Sequence, residues 1–130
     1  MIVLDASAVI DWLLQTAVGR EIEERIYAQA ESLHAPHLLD LEVAQVLRRL
    51  VREGGVSAPR ADQAIQDLLD LRIARYPHFV FLLRVWRLRD NFSAYDAAYL
   101  ALTEKLGATL ITRDARLASA CARLVSAELF

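Results

Sequence analysis

A three-layer α/β/α chain, with a short parallel sheet of four or five strands between two layers of helices, is what this sequence predicts. Two of the observations behind it are local. Ile2 to Leu4 and Thr109 to Ile111 are short, almost wholly apolar runs, as strands buried on both faces are. The segments between them carry apolar residues every three or four positions, the period of helices that bury one face. The third is their alternation, which implies right-handed crossovers and helices on both faces of one sheet.

The elements follow in order. After the Ile2 to Leu4 strand, Val9, Ile10, Leu13 and Leu14 recur at helical spacing. Gly19 to Glu31 carries Ile22, Ile26 and Ala30 on one stripe, and Leu33 to Ala35 reads as a second strand closed by Pro36. A helix from near His37, strongest over Leu38 to Arg52, ends at Gly54-Gly55. Ser57 caps a further helix to about Leu71, and Ile73 to Tyr76 is extended before Pro77. Phe79 to Arg89 is helical in period. Ser93 opens another helix, which Gly107 terminates. Beyond the Thr109 to Ile111 strand come a short helix from Asp114 to about Ala120 and a last strand at Arg123 to Val125.

Composition narrows the class. A chain of 130 residues fits one domain, 1–130, able to bury about two-thirds of the surface its unfolded form exposes. The single cysteine, Cys121, forms neither an internal disulfide nor a thiolate zinc site, which suits a reducing compartment, with the cytoplasm as default. The opening run is interrupted by Asp5 and Asp11 and is too short for a membrane span, so neither a membrane nor a targeting signal is expected. A net charge of −2 gives no bulk attraction to nucleic acid. The bases are nearly all arginine, whose planar fork suits phosphate, with Lys105 the one lysine.

Four acids stand where such a fold aims side chains into a crevice at the carboxyl edge of its sheet: Asp5, Glu42, Asp96 and Asp114. Each also has a plainer role. Asp5 can cap the first helix, with Ser7 a second cap or a supporting hydrogen-bond donor. Asp96 closes an approximate capping box opened by Ser93, and Thr112 or Asp114 can cap the helix after Thr109 to Ile111. Glu42 borders an apolar stripe and can pair with Arg49, whereas Asp40, about 200° around the helix, faces solvent. Gathered together, the four would demand a cation, since two like charges about 4 Å apart repel by about 4 kcal/mol at an effective dielectric near 20. Hard carboxylate oxygens suit Mg²⁺ or Mn²⁺, and such ions serve phosphodiester chemistry.

The residues that carry these acids form a pattern: MIVLDASAVIDWLL at the start, PHLLDLEVAQVLRRL around Glu42, SAYDAAYLALTEKLGATLITRD, and the trailing ARLASA. Over nearly its full length the chain resembles the PIN-domain ribonucleases, most closely the VapC-type toxins of toxin–antitoxin pairs. The resemblance implies a single PIN-like domain whose catalytic and metal-binding acids are Asp5, Glu42, Asp96 and Asp114. Ser7 and Thr112 would support them. It also implies a Mg²⁺ or Mn²⁺ cofactor, an RNA substrate cut to 5′-phosphate and 3′-hydroxyl ends, a cognate antitoxin and a homodimer.

Other readings stay open on the residues alone. A non-catalytic α/β module binding RNA or protein would use the acids only as caps and ion-pair partners, and a structure-selective DNA nuclease would prefer branched DNA. A zinc site is disfavoured, because His34 and His37 straddle Pro36 while His78 and Cys121 lie far along the chain. Arg113, Arg116, Tyr95 and Trp12 are candidate RNA contacts, and the helices near Trp12 and Leu50 are an expected footing for an antitoxin.

Overall fold

The computed structural model describes residues 1–130 and contains five strands and seven α-helices. The strands β1 (Ile2–Leu4), β2 (Leu33–Pro36), β3 (Ile73–Tyr76), β4 (Thr109–Thr112) and β5 (Ser126–Leu129) form one parallel sheet in the order β3-β2-β1-β4-β5. Helices α1 (Ala6–Leu13), α2 (Ala17–Ala28), α3 (Leu38–Arg52) and α4 (Ala58–Asp70) link the first three strands. A 3-10 turn (His78–Phe81) with α5 (Leu82–Arg87) and α6 (Ala94–Leu106) leads into β4, and α7 (Ala115–Cys121) leads into β5.

Side-chain alternation along the strands builds two cores. Ile2 and Leu4 of β1 and Ile111 of β4 pack with residues of α1 to α4. Val3 and Leu110 point the other way, into the residues of α5, α6 and α7. Chain order runs outward from β1 on one side, then resumes on its other side at β4, so the sheet reverses between these two neighbours. Their carboxyl ends therefore frame the crevice in which open parallel sheets bind ligands.

Local chemistry starts and stops the helices. Thr16 Oγ1 accepts from the Gly19 amide at 3.0 Å and Ser93 Oγ from the Asp96 amide at 3.1 Å, as helix-capping hydroxyls do. Gly107, at φ 59°, ends α6 in the left-handed region. The Leu38 amide, which opens α3, donates to His78 Nε2 at 3.0 Å, so a side chain of the opposite layer caps the helix that carries Glu42.

Gly19 sets the closest approach between α1 and α2. A Cβ there would overlap the backbone carbonyl of Asp11, and backbone has no rotamer with which to yield. Gly19→Ala is therefore expected to destabilise by about 2 kcal/mol or more, the scale of an overpacked core, despite alanine's better helix propensity. Urea unfolding measures it, and an unchanged midpoint would show that the two helices slide apart freely.

Three expected boundaries move. The last strand is Ser126–Leu129, not Arg123 to Val125, because the Leu124 and Val125 amides turn back onto the Cys121 carbonyl and use up those residues. Glu128 then receives the Arg25 guanidinium at 2.8 Å through two nitrogens. The second helix begins at Ala17 behind its Thr16 cap and stops at Ala28. Ala30 turns to φ 47° and Glu31 swings out to the terminal ammonium at 2.6 Å and to Arg25 at 3.1 Å. The single helix expected over Phe79 to Arg89 is a 3-10 turn followed by the six-residue α5.

Candidate active site

Asp5 follows β1 directly and occupies the N-cap position of α1, yet its side chain makes no capping hydrogen bond. Its Oδ2 instead accepts the Ser7 hydroxyl at 2.6 Å and the Thr112 hydroxyl at 2.7 Å. Both hydroxyls accept in turn from the turn after β4: Ser7 Oγ from the Arg113 amide and Thr112 Oγ1 from the Asp114 amide, each at 2.9 Å. With each proton committed to Asp5, the 3.4 Å approach between the two hydroxyls is a contact without a proton to share. The result is a polar clasp across the point where the sheet reverses, with one Asp5 oxygen held twice and Oδ1 free of side-chain donors.

Glu42 enters from α3, half-buried, and its Oε1 accepts the Tyr99 hydroxyl at 2.7 Å. Arg49, its expected partner, is not involved. Tyr99 lies three residues after Asp96 on α6, so one helix face delivers both Asp96 and the group that fixes Glu42. At 1% exposure, the Tyr99 ring is also part of the core. Its role escapes sequence reasoning because a buried tyrosine reads as packing. The available signal is its place one turn beyond Asp96 in an alanine-rich helix.

Asp114 takes the plainer role foreseen for it: its Oδ1 accepts from the Leu117 amide at 3.0 Å and caps α7. Arg116 Nη2 lies 2.8 Å from Asp96 Oδ2 and 3.4 Å from Asp114 Oδ2, an internal cation between two of the four acids. As the side chains lie, no three acidic, imidazole or thiol groups stand close enough to chelate a single ion. Asp40, expected in solvent, pairs with Arg75 at 2.8 Å.

Electrostatics links three of the acids. Burial pushes the Asp5 carboxyl above its ordinary range, against the lowering effect of its two hydroxyl partners, and the negative charge of Asp96 adds to the rise. Burial likewise raises Glu42, its Tyr99 hydrogen bond opposes this, and Asp5 and Asp96 raise it further. Tyr99 itself is held far above the phenol range by burial and by Glu42, so it donates and does not ionise. Asp5, Glu42 and Asp96 thus form a patch of surplus negative charge that Arg116 offsets only at Asp96. Hydroxyl and phenol donors fix one oxygen each on Asp5 and Glu42, while Asp5 Oδ1 and Glu42 Oε2 take no side-chain donor.

His34, His78, Cys121, Trp12 and Arg113 have structural roles. His34 bridges Ser32 and Tyr76, at 2.8 and 2.9 Å, and His78 caps α3. Burial, with Asp96 second, pushes the Cys121 thiol up to about 11, which keeps it protonated and unsuited to ligation. Trp12, 5% exposed, lies in the core with its Nε1 on Glu23 at 3.0 Å, so it offers no surface to RNA or to a partner. Arg113 is engaged with Asp11 and the Phe130 carbonyl.

A sheet reversing between β1 and β4, with carboxylates at the crevice where nucleotide-binding relatives of this architecture carry glycines, defines an acidic-crevice α/β/α domain. The family model described as the PIN domain matches residues 2–122, and the chain belongs to that family. It is 43% identical over 117 residues to ribonuclease VapC9 of Mycobacterium tuberculosis, covering 90% of this chain and 88% of that one. Identity to ribonuclease VapC12 of the same organism is 36% over 129 residues, covering 99% and 98%. The crystal structure of M. tuberculosis VapC20, described as a Sarcin-Ricin loop cleaving toxin, superposes with a TM-score of 0.66 at 17% identity, covering 92% of this chain and 95% of that one.

Proposed function

We propose that this chain is a divalent-metal-dependent endoribonuclease and the toxin of a toxin–antitoxin pair. One observation carries the reading: across the switch-point crevice the charge of Asp96 raises the Asp5 carboxyl, the charges of Asp5 and Asp96 raise Glu42, and Asp5 spends its side chain on two hydroxyls instead of on its helix. The full-length likeness to named VapC ribonucleases supports RNA as substrate and an antitoxin as partner.

Asp5, Glu42 and Asp96 would hold Mg²⁺ or Mn²⁺, with Asp114 at the rim, because an all-oxygen, surplus-negative donor set matches hard cations. A cation there supplies charge neutralisation, orientation of the phosphate and a more acidic water. The chain's own contribution is positional. Ser7 and Thr112 fix Asp5, Tyr99 fixes Glu42, and Arg116 balances Asp96 and Asp114.

Titration calorimetry with Mg²⁺ and Mn²⁺, beside cleavage of single-stranded RNA and branched DNA, tests the reading. Wild type should bind ions and cut RNA, and Asp96→Asn should lose both. Unchanged ion binding and cleavage in that variant would leave a binding module, and preference for branched DNA would make the substrate DNA.

Tyr99→Phe should slow cleavage by about 10-fold, within the range for groups that orient metal ligands, and leave the fold intact. Loss of the hydroxyl lets the Glu42 carboxyl rise further, so half-maximal ion binding should move to higher pH. A parallel drop at every pH would show instead that Tyr99 only packs.

Phe79, Leu83 and Trp86 on the 3-10 turn and α5 are exposed apolar residues on one short stretch, which supports a homodimer through that face. Sedimentation at micromolar concentration should give a dimer, and Leu83→Asp should give a monomer.

A further inference from the structure

A largely apolar groove of about 470 Å³ opens beside the acids, walled by α3 and by the start of α6, with Leu41, Gln45 and Val46 facing Tyr95. Glu42 lines both groove and crevice, and Tyr95 is the neighbour of Asp96. The Tyr95 ring is 67% exposed, and it lines the groove with its face free to receive a ligand. Farther along the same face of α3, seven residues and about 10 Å beyond Glu42, stands Arg49. The chain's side-chain ion pairs engage Arg25, Arg75, Arg84, Arg113 and Arg116, and Arg49 is in none of them.

On the nuclease reading above, we propose that this groove is a nucleobase subsite. The base beside the scissile phosphate stacks on Tyr95, the Gln45 amide meets its polar edge, and Arg49 takes a phosphate farther along the strand. Charge argues for a base at this place. With three carboxylates taking up most of the charge of any bound cation, the crevice offers the strand little net positive charge, so affinity next to the cut is drawn largely from an uncharged part of the nucleotide. An aromatic ring beside an apolar wall supplies it, because every base has a π face. Gln45 offers both a donor and an acceptor, as recognition of a base edge requires. The exposed apolar residues suited to self-association, Phe79, Leu83 and Trp86, do not line the groove.

The experiment measures binding of labelled six-nucleotide single-stranded RNAs to the full chain in Ca²⁺, by anisotropy, with an abasic ribose placed at each position in turn. Tyr95→Ala should weaken binding by about 10- to 100-fold, the worth of one stacked base, and Tyr95→Phe should restore it. One abasic position should cost the wild type a similar factor and cost Tyr95→Ala nothing further. Arg49→Gln should lower the salt dependence of binding. Equal affinity of wild type and Tyr95→Ala, with RNA cleavage normal in both, overturns the subsite and leaves the nuclease standing. A wild type that neither binds nor cuts RNA removes both. Loss of a dimer in Tyr95→Ala, with RNA affinity unchanged, gives the groove to a second copy of the chain and overturns the proposal.

Discussion

Asp5→Asn is expected to abolish RNA cleavage and yet leave the metal-free protein as stable as before, or more so. The loss should exceed about 100-fold, because groups that merely orient a metal ligand are already worth about 10- to 100-fold. The stability half follows from linkage. The folded-state pKa of Asp5 lies above its ordinary value, so the folded chain binds more protons than the unfolded one between those two values. Stability from this group is therefore full below the ordinary carboxylate pKa and lost as pH rises through the raised one. Asparagine keeps the acceptor oxygen for Ser7 and Thr112 and carries no charge to bury. Thermal melts in chelator, over roughly pH 4 to 8, should show a flatter pH dependence for the variant than for wild type. A variant that melts well below wild type at neutral pH would make Asp5 a structural residue.

Thr112→Val should damage both activity and stability. Valine preserves the shape of a fully buried side chain but removes the hydroxyl that donates to Asp5 and accepts from the Asp114 amide. An amide left without its acceptor costs about 1–3 kcal/mol. Cleavage should fall by about 10- to 100-fold, the scale for supporting groups. Thr112→Ser restores the hydroxyl and should recover most of the activity. If valine keeps full activity and serine loses it, the methyl group matters and the clasp does not.

The sheet was legible because its central strands are short and apolar and because Gly54, Ser57, Ser93 and Gly107 punctuate α3, α4 and α6. Thr16 was the exception, hidden by a weak apolar pattern at the start of α2. The position of β5 depended on a turn closed by the Cys121 carbonyl, which leaves no trace in side-chain pattern. Among the acids, sequence could not separate caps from crevice groups, since Asp5 and Asp114 both stand at helix N-cap positions. What separates them is the partner each side chain chooses. Asp5 finds Thr112 across 107 positions, and Asp114 finds Leu117 three residues away. Tyr99 and Arg116 were similarly hidden, because their partners come from helices distant in sequence or from a turn whose geometry only folding sets.

The order of strands in this sheet bears on when a polypeptide of this kind becomes dangerous. Asp5 is translated well before the threonine that steadies it, which belongs to β4, the strand beside it in space and 107 positions away along the chain. Until the ribosome has released that stretch, a nascent chain holds its early acids without their frame. A chain cut short before β4 therefore lacks the threonine that steadies Asp5.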